Sequence, residues 1–292
     1  MKLKGIFTTI MLIAMSLSIA NAQVGKSVGL NEKVVYEIYY AFVTGARMTL
    51  QTEEVVENGE SLIHLVAKGN TIGLIDKIYH IMEDYESWAD KETLLPKHAL
   101  KNVRESAEYK RYITYQFDHD NHTVTSSRSG EHKLEPDCFD IVAACYKVRT
   151  MDMTGLTLGQ TIKINTFFSE ENWPLYLKYM GIEDVKISKL GKISCYKFVP
   201  VVEVSGVFTD KNALKMWISA DENKIPIRAQ MSLVVGSAKV DISPLDRETE
   251  VDSFGGRDSF GGGWDSRERD LMSSGGYDSI VLREGDVEVV GP

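Results

Sequence analysis

The chain has 292 residues, 43% of them hydrophobic, enough to pack one large domain or two small ones. Its formal net charge of −9 excludes the basic, clustered footprint of a nucleic-acid binder. Three cysteines, Cys138, Cys145 and Cys195, are too few for the disulfide framework of a small secreted fold.

Met1–Ala22 reads as a cleavable secretory signal. Lys2 and Lys4 supply the positive start, residues 5–20 are apolar apart from four hydroxyl side chains, and Ala20-Asn21-Ala22 is an A-x-A cleavage site that leaves Gln23 at the N-terminus. The apolar run is short of the ~20 residues a membrane span needs, and no later stretch is long and apolar enough. No Cys follows the site, so a lipid anchor is not expected. The sequence therefore predicts a soluble mature protein, in the periplasm or released beyond it.

The body, residues 23–245, carries a mild net charge of −4 and reads as strands. Val34, Tyr36, Ile38, Tyr40 and Phe42 alternate along one face, and Ala46, Met48 and Leu50 along another. Thr44-Gly45 is the expected turn between them. Glu57-Asn58-Gly59 is a second turn, leading into a strand over 61–68. Ile72, Ile75, Tyr79 and Met82 then recur at helical spacing and predict a short amphipathic helix. Strands resume over 85–89, 99–106, 109–118 and 122–127, the last two joined by the turn Asp118-His119-Asp120-Asn121.

Glu135-Pro136-Asp137 is the expected start of a second helix, with Ile141, Cys145 and Val148 on one face and Lys147 and Arg149 at its C-terminal end. Cys138 and Cys145 on a continuous helix lie about 10 Å apart along the axis, too far to pair. Cys195 can pair with either, or all three are buried free thiols. Further strands are predicted over 161–168, 174–179, 183–190, 193–201, 214–219, 225–234 and 238–242. Ala220-Asp221-Glu222-Asn223-Lys224 turns the chain between two of them, and Pro226 marks an edge or a strand start. About a dozen strands with two short helices predict a mainly β fold: a large curved antiparallel sheet or open barrel. After Pro244 the composition changes. Residues 246–292 are rich in Gly, Ser and Asp, carry a net charge of −7 and nearly repeat Asp252-Ser253-Phe254-Gly255-Gly256, which predicts a disordered acidic tail.

Chemistry-bearing motifs are sparse. Asp118-His119-Asp120-Asn121-His122 has metal-ligand residue types, but a polar hairpin turn explains them, and no metal or cofactor is assigned. There is no G-x-S-x-G, H-E-x-x-H or phosphate loop. Carboxylates are plentiful, yet spacing alone does not bring two together; Glu170-Glu171, if in a strand, would point opposite ways.

The assembled pattern resembles the bacterial envelope family catalogued as domain of unknown function 3108, over roughly residues 32–242. Tyr36–Leu50 looks like its opening hairpin, and Leu95-Pro96 with Glu105 and Tyr109 like its middle region. Phe139-Asp140-Ile141, then Tyr146 and Arg149, are similar to its D-x-x-S-x-x-Y-x-x-R helix, with Ala143 where a Ser is common. Trp217-Ile218-Ser219-Ala220-Asp221 through Ile225-Pro226 looks like its closing hairpin, which is also similar to that of periplasmic lipoprotein carriers, curved sheets around an apolar cavity. The resemblance implies a fold and an envelope location, with no settled activity.

These readings converge on an exported, non-enzymatic protein that binds a lipid-like ligand or an envelope protein on a curved sheet. Tyr36, Tyr40, Trp88, Tyr146, Arg149 and Trp217 are the candidate binding residues, the four strand aromatics lining the sheet. The alternatives are an envelope glycan hydrolase with paired carboxylates, or a structural or assembly factor.

Overall fold

Period-two alternation over most of the chain leaves one way to bury the apolar side of each strand: pair it with its neighbours and curl the product. The computed structural model describes residues 28–41, 43–105, 109–201, 214–232 and 236–244. Residues 1–22, expected to be a signal, and 246–292, expected to be a disordered tail, lie outside the described residues. Fifteen described strands form a single sheet in the order β8-β7-β6-β5-β4-β3-β2-β1-β15-β14-β13-β12-β11-β10-β9. Two runs of hairpins therefore meet where β1 (Lys33–Tyr40) pairs with β15 (Ser237–Ile242). One run is β2 (Val43–Glu57), β3 (Glu60–Thr71), β4 (Ile81–Asp90), β5 (Pro96–Glu105), β6 (Tyr109–Asp118), β7 (Thr123–Ser126) and β8 (Gly130–Lys133). The other is β9 (Cys138–Phe139), β10 (Thr161–Phe168), β11 (Glu171–Ile187), β12 (Gly191–Val201), β13 (Leu214–Ser219) and β14 (Pro226–Ser232). Every neighbouring pair is antiparallel except β9 with β10, so the sheet is mixed, and it is not closed into a barrel.

Two helices accompany it, α1 (Gly73–Ile78) and α2 (Ile141–Thr150). α2 packs on β3 and β4 on one side and on β9 and β10 on the other, so it lies within the curl and not outside it. One buried cluster joins its Val142, Ala143 and Tyr146 to Leu50, Leu65 and Ala89 from one arm and Ile164, Leu177 and Phe198 from the other. A second cluster sits where the arms approach each other, and contains Tyr115, Phe117, Val124 and Phe167.

Several local expectations change. Gly45 lies inside β2, not in a turn; the chain reverses at Ala41 (φ 53°), and the Gly45 carbonyl accepts from Ile72 N–H at 2.9 Å. A Cβ there would meet Ile75 at 3.3 Å, so the glycine admits α1 to the strand. That helix is shorter than predicted and buries no residue: Leu74 and Ile78 are 72% and 83% exposed, and Met82 belongs to β4. Glu135-Pro136-Asp137 precedes β9 and does not start α2, because Asp137 is left-handed (φ 47°) and Asp140 is the cap. The two strands expected over 174–190 are one, β11, because Gly181 (φ 97°) makes a bulge where a turn was expected. All three cysteines are free, Cys138 on a strand.

Candidate binding site on the concave face

The helix motif is the natural place to start. Asp140 caps α2: its Oδ1 accepts from Val142 N–H at 2.8 Å and Ala143 N–H at 3.0 Å, and its Oδ2 accepts from Ser87 Oγ at 2.5 Å. Burial pushes this carboxyl above its usual range, against the donors that favour its charge. Tyr146 donates to the Gln51 carbonyl at 3.4 Å. Arg149, 2% exposed, grips both Glu32 oxygens at 2.6 and 2.8 Å and donates to the Asn223 carbonyl. Positions 140, 143, 146 and 149 form one i, i+3 stripe that docks α2 onto the sheet. Ala143, fully buried on that stripe, leaves no hydroxyl to do chemistry.

Beyond the area under α2 the concave face stays partly open. Cross-strand partners share a face, so the registers trace it residue by residue. One row runs Ala46, Ile38, Val240, Ala229, Met216, Phe198 and Tyr179. A second runs Glu83, Gly69, Met48, Tyr36 and Ile242, and a third Lys101, Tyr85, Ala67 and Leu50. Phe198, Tyr36 and Leu50 are buried, whereas Ile38, Ala46, Met48, Ala67, Met216 and Val240 are half-buried. Tyr36 is 2% exposed and its hydroxyl has no hydrogen-bond partner among the described residues; burial holds its pKa far above the usual value.

At one end of the rows a narrow cleft, with room of about 30 Å³ for water-sized groups, lies between the arms, lined by Tyr85, Lys101, Tyr115, Phe167, Phe168 and Ile141 among others. Lys101 reaches into it, its Nζ 5.0 Å from the Phe168 ring centre and 5.7 Å from that of Tyr85. Burial lowers the Lys101 pKa. Neighbouring Glu83 is half-buried, and burial followed by the charge of Glu105 raises its carboxyl pKa. On the far side the arms are clasped by Glu170, which accepts from Tyr115 at 3.0 Å, from Ser126 at 3.2 Å and from Ser129. His132 Nε2 faces the same carboxylate at 3.4 Å. Ser129 and Glu170 both meet His132 through Nε2, so the three do not form a nucleophile–base–acid relay.

The sequence-derived candidates separate. Tyr36, Tyr146 and Arg149 come together under α2. Tyr40 is exposed at the rim. Trp217 is buried, donating its indole N–H to Glu183 at 2.7 Å beneath the Lys197 ammonium. Trp88 points away from the concave face, since Ser87 and Ala89 on either side of it are fully buried inward. It is sandwiched instead between His64 and His98, with ring centres 4.2 and 4.5 Å apart. His64 binds Glu53 at 2.7 Å and Glu86 at 2.8 Å, beside a polar groove that also takes in Glu32, Lys33 and Lys68. Asp118 is occupied by Asn121 and His119 by the Pro96 carbonyl, as a turn requires. Among the described residues no cluster of His, Cys, Asp and Glu is arranged to hold a metal, and no helix is long and apolar enough to cross a membrane. Sequence reasoning missed Lys101, although its alternation with buried Ala99 and Val103 places a cation on the inward side.

Among solved structures, the chain is similar to a beta-barrel-like protein of domain of unknown function DUF1849 from Brucella abortus. Identity is 9%, coverage 72% of this chain and 94% of that one, and the TM-score 0.46. A DUF1089 family protein from Pseudomonas aeruginosa aligns at 10% identity over 66% and 87%, with a TM-score of 0.28. No curated protein matches the chain. The model of the family described as protein of unknown function DUF3108 matches residues 35–243, and the chain belongs to that family.

Proposed function

We propose that this is an exported, non-enzymatic envelope protein that holds an apolar or amphipathic ligand against the concave face of its sheet. The observation that carries this reading is the unbroken apolar row from Ala46 to Tyr179, only part of which is covered by α2. Half-buried apolar side chains on a concave surface, next to a cleft with few polar groups, are what a small-molecule site offers. Export is supported by the Met1–Ala22 pattern. A catalytic role has less support: Glu83 and Glu105 share the concave face, but the Glu105 carboxylate accepts the Tyr79 hydroxyl at 3.2 Å and lacks an arranged acid–base partner.

The test is mass spectrometry of the protein recovered intact from the envelope of its own host. The expected result is a mature chain starting at Gln23 with a co-purifying lipid-like molecule. A ligand-free protein that also fails to bind an apolar fluorophore would overturn the binding reading. Turnover of glycan substrates abolished by Glu83→Gln would replace it with the hydrolase.

A further inference from the structure

Lys101 is out of place for a purely apolar site. Its strand neighbours on the same face, Ala99 and Val103, are buried. Its ammonium stands between the Tyr85 and Phe168 rings, and among the described residues no carboxylate lies within ion-pairing distance of it. A partly buried cation without a counter-ion is costly, and an anion supplied from outside would offset that cost. Charges of both signs lie near Lys101, Glu83 acting on it most strongly. Arg111 and Arg128 are close enough to act on Lys101 electrostatically. The opposing charges within reach are Glu83 and Glu170. Glu170 is already satisfied by Tyr115, Ser126 and Ser129, and neither it nor Glu83 forms a direct ion pair with Lys101.

We infer that the ligand is an anionic amphiphile whose carboxylate or phosphate head pairs with Lys101 at the cleft, its chain lying along the concave row. This rests on the binding reading above and adds the sign and place of the head. Lys101 pairs across the ladder with Tyr85, and Tyr85 with half-buried Ala67, so the charged anchor adjoins apolar side chains of the concave face. The aromatic rings beside the ammonium partly screen it from water, which strengthens a charge-assisted contact.

Fluorescent parinaric acid and its uncharged methyl ester test this directly on the full-length mature protein. The acid is expected to bind about tenfold more tightly than the ester. Lys101→Met should abolish that preference, and Lys101→Arg should restore it. A long-chain alkyl phosphate competing better than a fatty acid would assign a phosphate head; the reverse would assign a carboxylate. Equal binding of acid and ester by the wild-type protein overturns the anionic head and leaves the apolar site standing. Binding of neither overturns both. Because the wild-type comparison decides, the inference stays testable even if a Lys101 variant fails to fold.

Discussion

Arg149 and Glu32, 117 residues apart in sequence, meet in a two-pronged ion pair at 2.6 and 2.8 Å that fixes the C-terminal end of α2 to the start of β1. Removing one partner strands the other charge in a buried place. Arg149→Met is expected to cost about 3–5 kcal/mol, and thermal unfolding of variant and wild type measures it. A loss below about 1 kcal/mol would mean that the pair only breaks even against its desolvation cost.

Ser169 (φ 52°) and Glu170 (φ 70°) turn the chain between β10 and β11 in a left-handed conformation that suits glycine better. Ser169→Gly is expected to stabilise the protein by about 0.5–1 kcal/mol. Glu170→Gln should do the opposite, because it removes the charge that Tyr115, Ser126 and Ser129 converge on. Chemical denaturation of the two variants in parallel tests the opposed signs; a stabilising Glu170→Gln would show that the clasp adds nothing.

His64 provides a pH signature. Burial pulls its pKa down, but hydrogen bonds from the ring to Glu86 and Glu53 outweigh this, so the pKa sits above the ordinary value. A raised imidazole pKa stabilises the fold fully below the unfolded value of about 6.5 and loses that contribution as pH climbs through the folded value. The His64 ring resonances should therefore titrate later than those of an exposed histidine, and His64→Gln should flatten stability on the alkaline side of neutrality. An NMR titration with a midpoint at or below 6.5 would refute this.

The thiols differ in access. Burial pushes Cys138 up to about 12 and Cys195 up to about 11, and both are buried. Cys145 is reached by solvent on the same side of α2 as Ile141, one turn away, although the surrounding protein partly desolvates its thiol and pushes it up to about 11. A maleimide should label Cys145 first and slowly, with the other two reacting only on unfolding, and an occupied cleft should slow it further. Simultaneous labelling of all three would contradict the assignment.

Strands were legible where apolar residues alternate strictly, as from Val34 to Tyr40, because one residue's slip would invert every side chain. The α2 boundary was misread because Pro136 and two acids mimic a helix start, whereas the true cap, Asp140, gains its partner Ser87 only from tertiary structure. Trp88 was assigned to the wrong face of its sheet. Its facing depends on the three-strand register with His64 and His98, which no local pattern announces. Lys101 was readable from its parity alone, since a single cation between Ala99 and Val103 on the inward face breaks the apolar alternation.

Away from the β1–β15 ladder, the far edges of the two arms meet at Glu170 through side chains, without a backbone ladder between them among the described residues. In a sealed cylinder of strands, girth is dictated by strand number and stagger. Here side chains set the circumference instead: the Glu170 hydrogen bonds, Asn172 donating to the Lys133 carbonyl, and the apolar cluster of Tyr115, Phe117 and Phe167 hold the edges together.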